Sequence, residues 1–171
     1  MDSWVFPLHL IDFETCTTAI PFHKGHKPYE GIAFQFSHHT IDKNWNIKHA
    51  DQYLSFEPGK FPNFDFARAL FKSLFADTGT IFRYHSHENS YLNHIYNQLK
   101  ASTDSIPDKK KLMEFIRSIT VSGNDQTEVW EGERKMVDLY QLVLSYYYPP
   151  GAKGSNSLKD ILPSLISECG F

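Results

Sequence analysis

Two carboxylates one residue apart, Asp12 and Glu14, follow an apolar run through Val5, Phe6, Leu8, Leu10 and Ile11. In an extended strand these two acids point the same way, and Phe13 points to the opposite face. Acids crowded at the end of a buried strand repel each other and lose hydration, and a cation between them relieves both costs. Asp12-x-Glu14 is therefore the leading candidate for a divalent-metal site. The competing reading is a pair of ordinary polar residues opening a loop.

A further acid, Glu88, sits in Arg83-Tyr84-His85-Ser86-His87-Glu88-Asn89, where a predicted strand turns into a helix. Sites in parallel α/β sheets gather at the carboxyl ends of strands. A right-handed crossover would bring this junction beside the end of the first strand, so that Asp12, Glu14 and Glu88 converge. Asp138, in Lys135-Met136-Val137-Asp138-Leu139, is a separate acid near the start of a later helix. His85, His87 and His94 cluster with Glu88, and His85-x-His87 offers a zinc-type alternative. No cysteine and no third ligand at a typical spacing supports that alternative.

The composition narrows the choice. A length of 171 residues fits one domain, residues 1–171, that buries a core without staples. Fourteen Phe and nine Tyr argue against disorder. A formal charge of -3 gives no electrostatic footprint of a constitutive DNA coater, so contact with nucleic acid has to be local or assisted by metal ions. Cys16 and Cys169 stand in no ligand spacing and suit a reducing compartment. With no basic leader and no apolar run near 20 residues, the expectation is a soluble cytoplasmic protein without a membrane span.

The elements that must position these acids follow from periodicity. Residues 4 to 12 read as a strand, 32 to 38 as a second, and 47 to 54 as a third that returns through a turn at Asp42-Lys43-Asn44. Ala67, Leu70, Phe71 and Leu74 mark a helix capped by Asn63 or Asp65 and stopped by Gly79. Residues 80 to 84 form a strand, and Leu92, Ile95, Tyr96 and Leu99 line a second helix. Pro107 opens a third helix, whose Lys109-Lys110-Lys111 run is a solvated face or a phosphate contact. Ser122-Gly123-Asn124-Asp125 reads as a turn, and Met136, Tyr140, Val143 and Tyr147 mark a fourth helix. Ser157 caps a last helix, which Pro163 interrupts. The fold class is α/β: a three-strand antiparallel meander plus a parallel strand, flanked by helices.

Asp-x-Glu on the first strand of a meander, followed by a strand-to-helix acid, resembles the DEDD 3′–5′ exonucleases of the ribonuclease H-like fold. More closely, the chain resembles a bacterial family defined only as a domain of unknown function, often attached to RecB-like nuclease modules. The matching segments are Leu10 to Thr15, Pro28-Tyr29 with Ile32 to Ser37, Gly79 through Glu88, Tyr146 to Pro149, and Gly154 to Lys159. The resemblance implies that Asp12 and Glu14 form the first exonuclease motif and that Glu88 takes the second, where the superfamily usually has Asp. It places Asp138 as an acid before the last helices. Such nucleases draw a fourth acid from a helix after the Ser-Leu-Lys segment, and the sequence stops at Phe171 before that motif. A fragment of a longer protein, or a degenerate relative, is the expectation.

The implied chemistry is phosphodiester hydrolysis with two Mg²⁺ or Mn²⁺ ions held by Asp12, Glu14 and Glu88. Tyr84, Phe22 or His23 would stack a base at a single-stranded end, with His85 and His87 flanking the site. Gly154-Ser155-Asn156-Ser157 would hold a phosphate through backbone amides or serve only as a helix cap. The expected partners are nucleic acid and a nuclease or helicase module of the same protein. The alternative is a catalytically degenerate module that binds nucleic acid or protein.

Overall fold

The computed structural model describes residues 3–123 and 128–170. Alternation on the first strand, β1 (Leu8–Thr17), settles which way the acids face. His9, Ile11 and Phe13 are buried on one side, while Asp12 and Glu14 are exposed on the other. β1 pairs antiparallel with β2 (Gly31–Ile41), which pairs antiparallel with β3 (Ile47–Leu54). The meander is thus as expected, and β3 has the expected bounds. Asp42 organises the turn by accepting from the backbone N–H groups of Asn44 and Asn46.

β1 differs at both ends from the strand read at 4 to 12. Pro7 lacks an N–H for the ladder, and strand structure begins only at Leu8. At the other end β2 stays paired as far as Thr17↔Gly31, so Asp12 and Glu14 lie within the strand rather than at its tip. On the opposite edge the parallel partner β4 (Ile81–Arg83) matches only His9 and Leu10. Asp12 therefore stands just beyond β4, and the crevice opens there.

The sheet order is β3-β2-β1-β4-β5, with β1, β4 and β5 parallel. Strand β5 (Val137–Asp138) stands where the sequence pattern predicts the start of the fourth helix. Its two residues pair with Phe82 and Arg83, and the fourth helix, α4 (Leu139–Tyr146), starts only after them. A two-residue strand has no period to detect. The turn expected at Ser122 to Asp125 falls partly outside the described residues.

Helices α1 (Asn63–Leu74), α2 (His87–Ala101) and α3 (Lys109–Ile119) pack on the face of the sheet that carries Ile11 and Phe13. Phe66, Leu70, Leu92, Ile95, Leu99 and Phe115 fill this layer; Phe13 and Phe66 meet edge to face at 4.8 Å. Burying each such side chain contributes about 1.5–3 kcal/mol. Asn63 does not cap α1 as expected: it is buried, accepts from the N–H of Ala33, and donates to Gly31 and Gln98. Those bonds fasten α1 and α2 to β2. Asp65 makes no cap bond either and pairs with Lys60 and Arg68. Of the lysine run, Lys111 lies over the Phe71 ring and Lys109 donates to the Ser102 carbonyl.

The last helix, α5 (Leu158–Cys169), is capped by Ser157 as expected but runs through Pro163 instead of breaking there. Pro163 lies in the second turn, where most of the helix's bonds survive one missing donor. Among the described residues no helix is long and apolar enough to cross a membrane.

Candidate functional site

Asp12 opens onto a cleft of about 260 Å³ lined also by Ser37 and His39 of β2, Phe82 and Arg83 of β4, and Leu139 and Leu158 of α4 and α5. Tyr84 forms one wall and belongs as well to an adjoining hollow of about 530 Å³, with His85, Tyr140, Leu158 and Lys159. The two hollows make one groove, acidic at one end and aromatic at the other. The Tyr84 hydroxyl donates to the Asn156 carbonyl at 2.5 Å, which ties the end of β4 to the segment before α5.

Glu88, in the first turn of α2, is only 3 % exposed, and its Oε2 has no hydrogen-bond partner. Burial pushes its carboxyl up to about 7; its own N–H and Arg83 pull it down, and the charges of Asp12 and Asp138 push it up. A helix N-terminus favours an anion, yet desolvation dominates here. Asp12 and Glu88 thus feel each other's charge although 76 positions of sequence separate them. Glu14 shares the exposed face with Asp12, across from Gln35.

Asp138 is placed differently. It forms a 3.0 Å ion pair with Arg83, accepts from the N–H of Tyr140 at the start of α4, and accepts from the N–H of His85. These contacts hold the 83–85 turn, where His85 takes a positive φ of 70° and its carbonyl accepts from Arg83. The His85 ring packs on Tyr140, whereas the His87 ring bonds Thr15 and packs on Tyr91. Phe22 and His23 belong to the loop after β1, with His23 against His26 and Phe61. Ser155 bonds Asp160, and Asn156 contributes its carbonyl to Tyr84. Among the described residues no three His, Cys, Asp or Glu side chains gather as a metal cage.

A family model described as Domain of unknown function (DUF2779) matches residues 9–157. The chain belongs to this family. The DUF2779 match runs from β1 to the residue that caps α5, so it includes Asp12, Glu14, Tyr84, Glu88 and Asp138, and stops short of Leu158 and Lys159. No curated protein and no solved structure matches the chain.

Sequence reasoning missed Arg83, His39 and Tyr140 as parts of the groove. Arg83 carried a usable signal, a cation ending a strand beside several acids. A second omission lies behind the sheet. Asp77 accepts from His9 Nε2 at 2.8 Å, His9 Nδ1 meets His38 Nε2 at 2.8 Å, and His38 Nδ1 meets Ser73 Oγ at 2.6 Å. One set of neutral tautomers satisfies all three bonds, each donor facing the next acceptor. Burial lowers the proton affinity of both histidines, that of His38 to about 4.

Proposed function

We propose that the groove hydrolyses phosphodiester bonds at a single-stranded nucleic-acid end, as a DEDD-type 3′–5′ exonuclease on a ribonuclease H-like sheet. The observation that carries this reading is Glu88: a buried carboxylate with an unpartnered oxygen, close enough to the exposed Asp12 for their charges to interact. A structural role supplies no reason to keep such a group, because a neutral side chain would avoid the desolvation cost. The strand order, with an antiparallel meander continued by two parallel strands, supports the fold part of the proposal.

The donor set fits Mg²⁺ or Mn²⁺. Asp12 and Glu88 offer hard oxygen ligands, and Mg²⁺ is commonly held by one or two carboxylates with water and substrate phosphate filling its shell. A bound ion would lower the pKa of water and neutralise charge on the phosphate. Asp12 and Glu88 would hold it, with Glu14 accepting a proton from water on the exposed face. Arg83, fixed by Asp138, sits where it offsets phosphate charge. Tyr84 and Tyr140 offer apolar rings to a terminal base, and Lys159 lines the same hollow.

The test is a labelled single-stranded oligonucleotide incubated with Mn²⁺, using both DNA and RNA. Stepwise shortening from the 3′ end that disappears in Asp12→Ala is the expected result. Shortening that persists in folded Asp12→Ala would place the chemistry elsewhere. Tight oligonucleotide binding without cleavage would favour the second reading, a degenerate binding module; Asp138 supports it, because the acid is committed to Arg83 and two backbone amides.

A further inference from the structure

We propose that His39 and His49 form a binding site for a transition-metal ion of the Zn²⁺ class at the rim of the groove, separate from the acidic pair. The two residues are direct cross-strand partners on β2 and β3. His39 is half-buried against the cleft, and His49 is exposed. His39 Nε2 and His49 Nδ1 face each other at 3.2 Å, with the rings 68° apart in plane.

That separation is long for an N–H···N hydrogen bond, at the outer end of the usual range. It is close to what a shared ion needs: two nitrogens about 2.05 Å from a tetrahedral Zn²⁺ stand about 3.3 Å apart. Both rings hang from paired strands, so an ion would find the nitrogens already spaced.

The strand register supplies a second, independent observation. His38 is opposite Asp51 and His39 is opposite His49, leaving Ala50 as an extra residue on β3. In an unbroken ladder His39 would face Ala50 and no histidine pair would exist. Bulges re-aim side chains in this manner and are common beside functional sites.

Two imidazoles leave two coordination positions to water, and no third His, Cys, Asp or Glu among the described residues completes a cage. The site is therefore open and weaker than a four-ligand structural zinc site. Imidazole ligands favour Zn²⁺, Cu²⁺ and Ni²⁺ over Mg²⁺ and Mn²⁺, which separates this site from the one at Asp12 and Glu88. The carboxylate of Asp12, lining the same cleft as His39, adds attraction for any cation at the rim.

The experiment titrates ZnCl₂ into the ¹⁵N-labelled chain at pH 7.5 while following imidazole nitrogens by long-range ¹H–¹⁵N correlation. The His39 Nε2 and His49 Nδ1 resonances should move together and saturate with one ion. His49→Ala, at an exposed position, should weaken that binding at least tenfold with an unchanged circular dichroism spectrum, and His49→Gln should do the same. Zn²⁺ shifts confined to other histidines, or an affinity in both variants within twofold of the parent, would overturn the proposal. Neither outcome depends on whether the chain cleaves nucleic acid.

Discussion

Replacing Glu88 by Gln should stabilise the folded chain at pH 8 and change how its stability depends on pH. A carboxyl raised from 4.5 to about 7 favours the protonated form in the fold by about 3 kcal/mol, at roughly 1.4 kcal/mol for each power of ten in proton affinity. The sign follows from proton counting. Between pH 4.5 and 7 the folded state holds more of this proton than the unfolded state, so Glu88 makes stability fall as pH rises and is neutral to it below that window. His38 acts oppositely: lowered from 6.5 to about 4 by burial and by neighbouring His9, it makes stability rise with pH across nearly the same window, also by about 3 kcal/mol. In the parent chain the two slopes largely cancel. Glu88→Gln leaves the histidine slope alone, so its denaturant midpoint should climb steadily from pH 4.5 to 6.5 and exceed the parent's at pH 8. Urea melts at half-unit pH intervals measure this. A Glu88→Gln curve parallel to the parent curve, or a variant less stable at pH 8, would refute the assignment of Glu88 as a buried carboxyl titrating near neutrality. A second arm adds MnCl₂ at pH 7.5, which should raise the parent's melting temperature more than the variant's, since the variant keeps Asp12 and Glu14 but lacks the Glu88 carboxylate as a ligand.

Other substitutions probe the frame. Gly79→Ala should cost about 3 kcal/mol in urea unfolding, because an added Cβ would lie 1.9 Å from the Pro7 carbonyl oxygen, and backbone cannot yield cheaply. Asn63→Ala should cost about 2–3 kcal/mol by stripping partners from buried groups on Ala33 and Gly31, read as a lower thermal midpoint. Ser157→Ala removes the cap of α5 and should lower stability by about 1 kcal/mol, measurable in the same assay.

The meander was legible because three long segments alternate or run apolar and a turn former sits between two of them. The place of Glu88 was legible because a strand-to-helix junction can be read from a change of period, and the acid lies in the first turn after it. β5 was not, since a two-residue strand leaves no pattern, so Asp138 could be read only as near the start of a helix and not as the strand residue that caps it. The His9–His38 pair escaped for another reason. A histidine inside Leu8-His9-Leu10 looks like a break in an apolar run, and only the fold reveals that Asp77, 68 residues away, satisfies it. The groove's aromatic end likewise depends on Tyr84, just after β4, bonding Asn156, just before α5, a link between distant segments that no local pattern encodes.

The alternation along β1 bears on which length changes this chain can accept. With β2 on one edge and β4 on the other, β1 has no free side along which to slip. One inserted residue between Leu8 and Asp12 would turn Asp12 toward Phe66 and send Phe13 into the groove, exchanging the dry and wet faces in one step. The loop of residues 18–30 faces no such constraint, since it joins antiparallel neighbours at the surface. Homologues should therefore vary freely in length there and not at all across the five positions from Leu8 to Asp12, unless residues are gained in pairs.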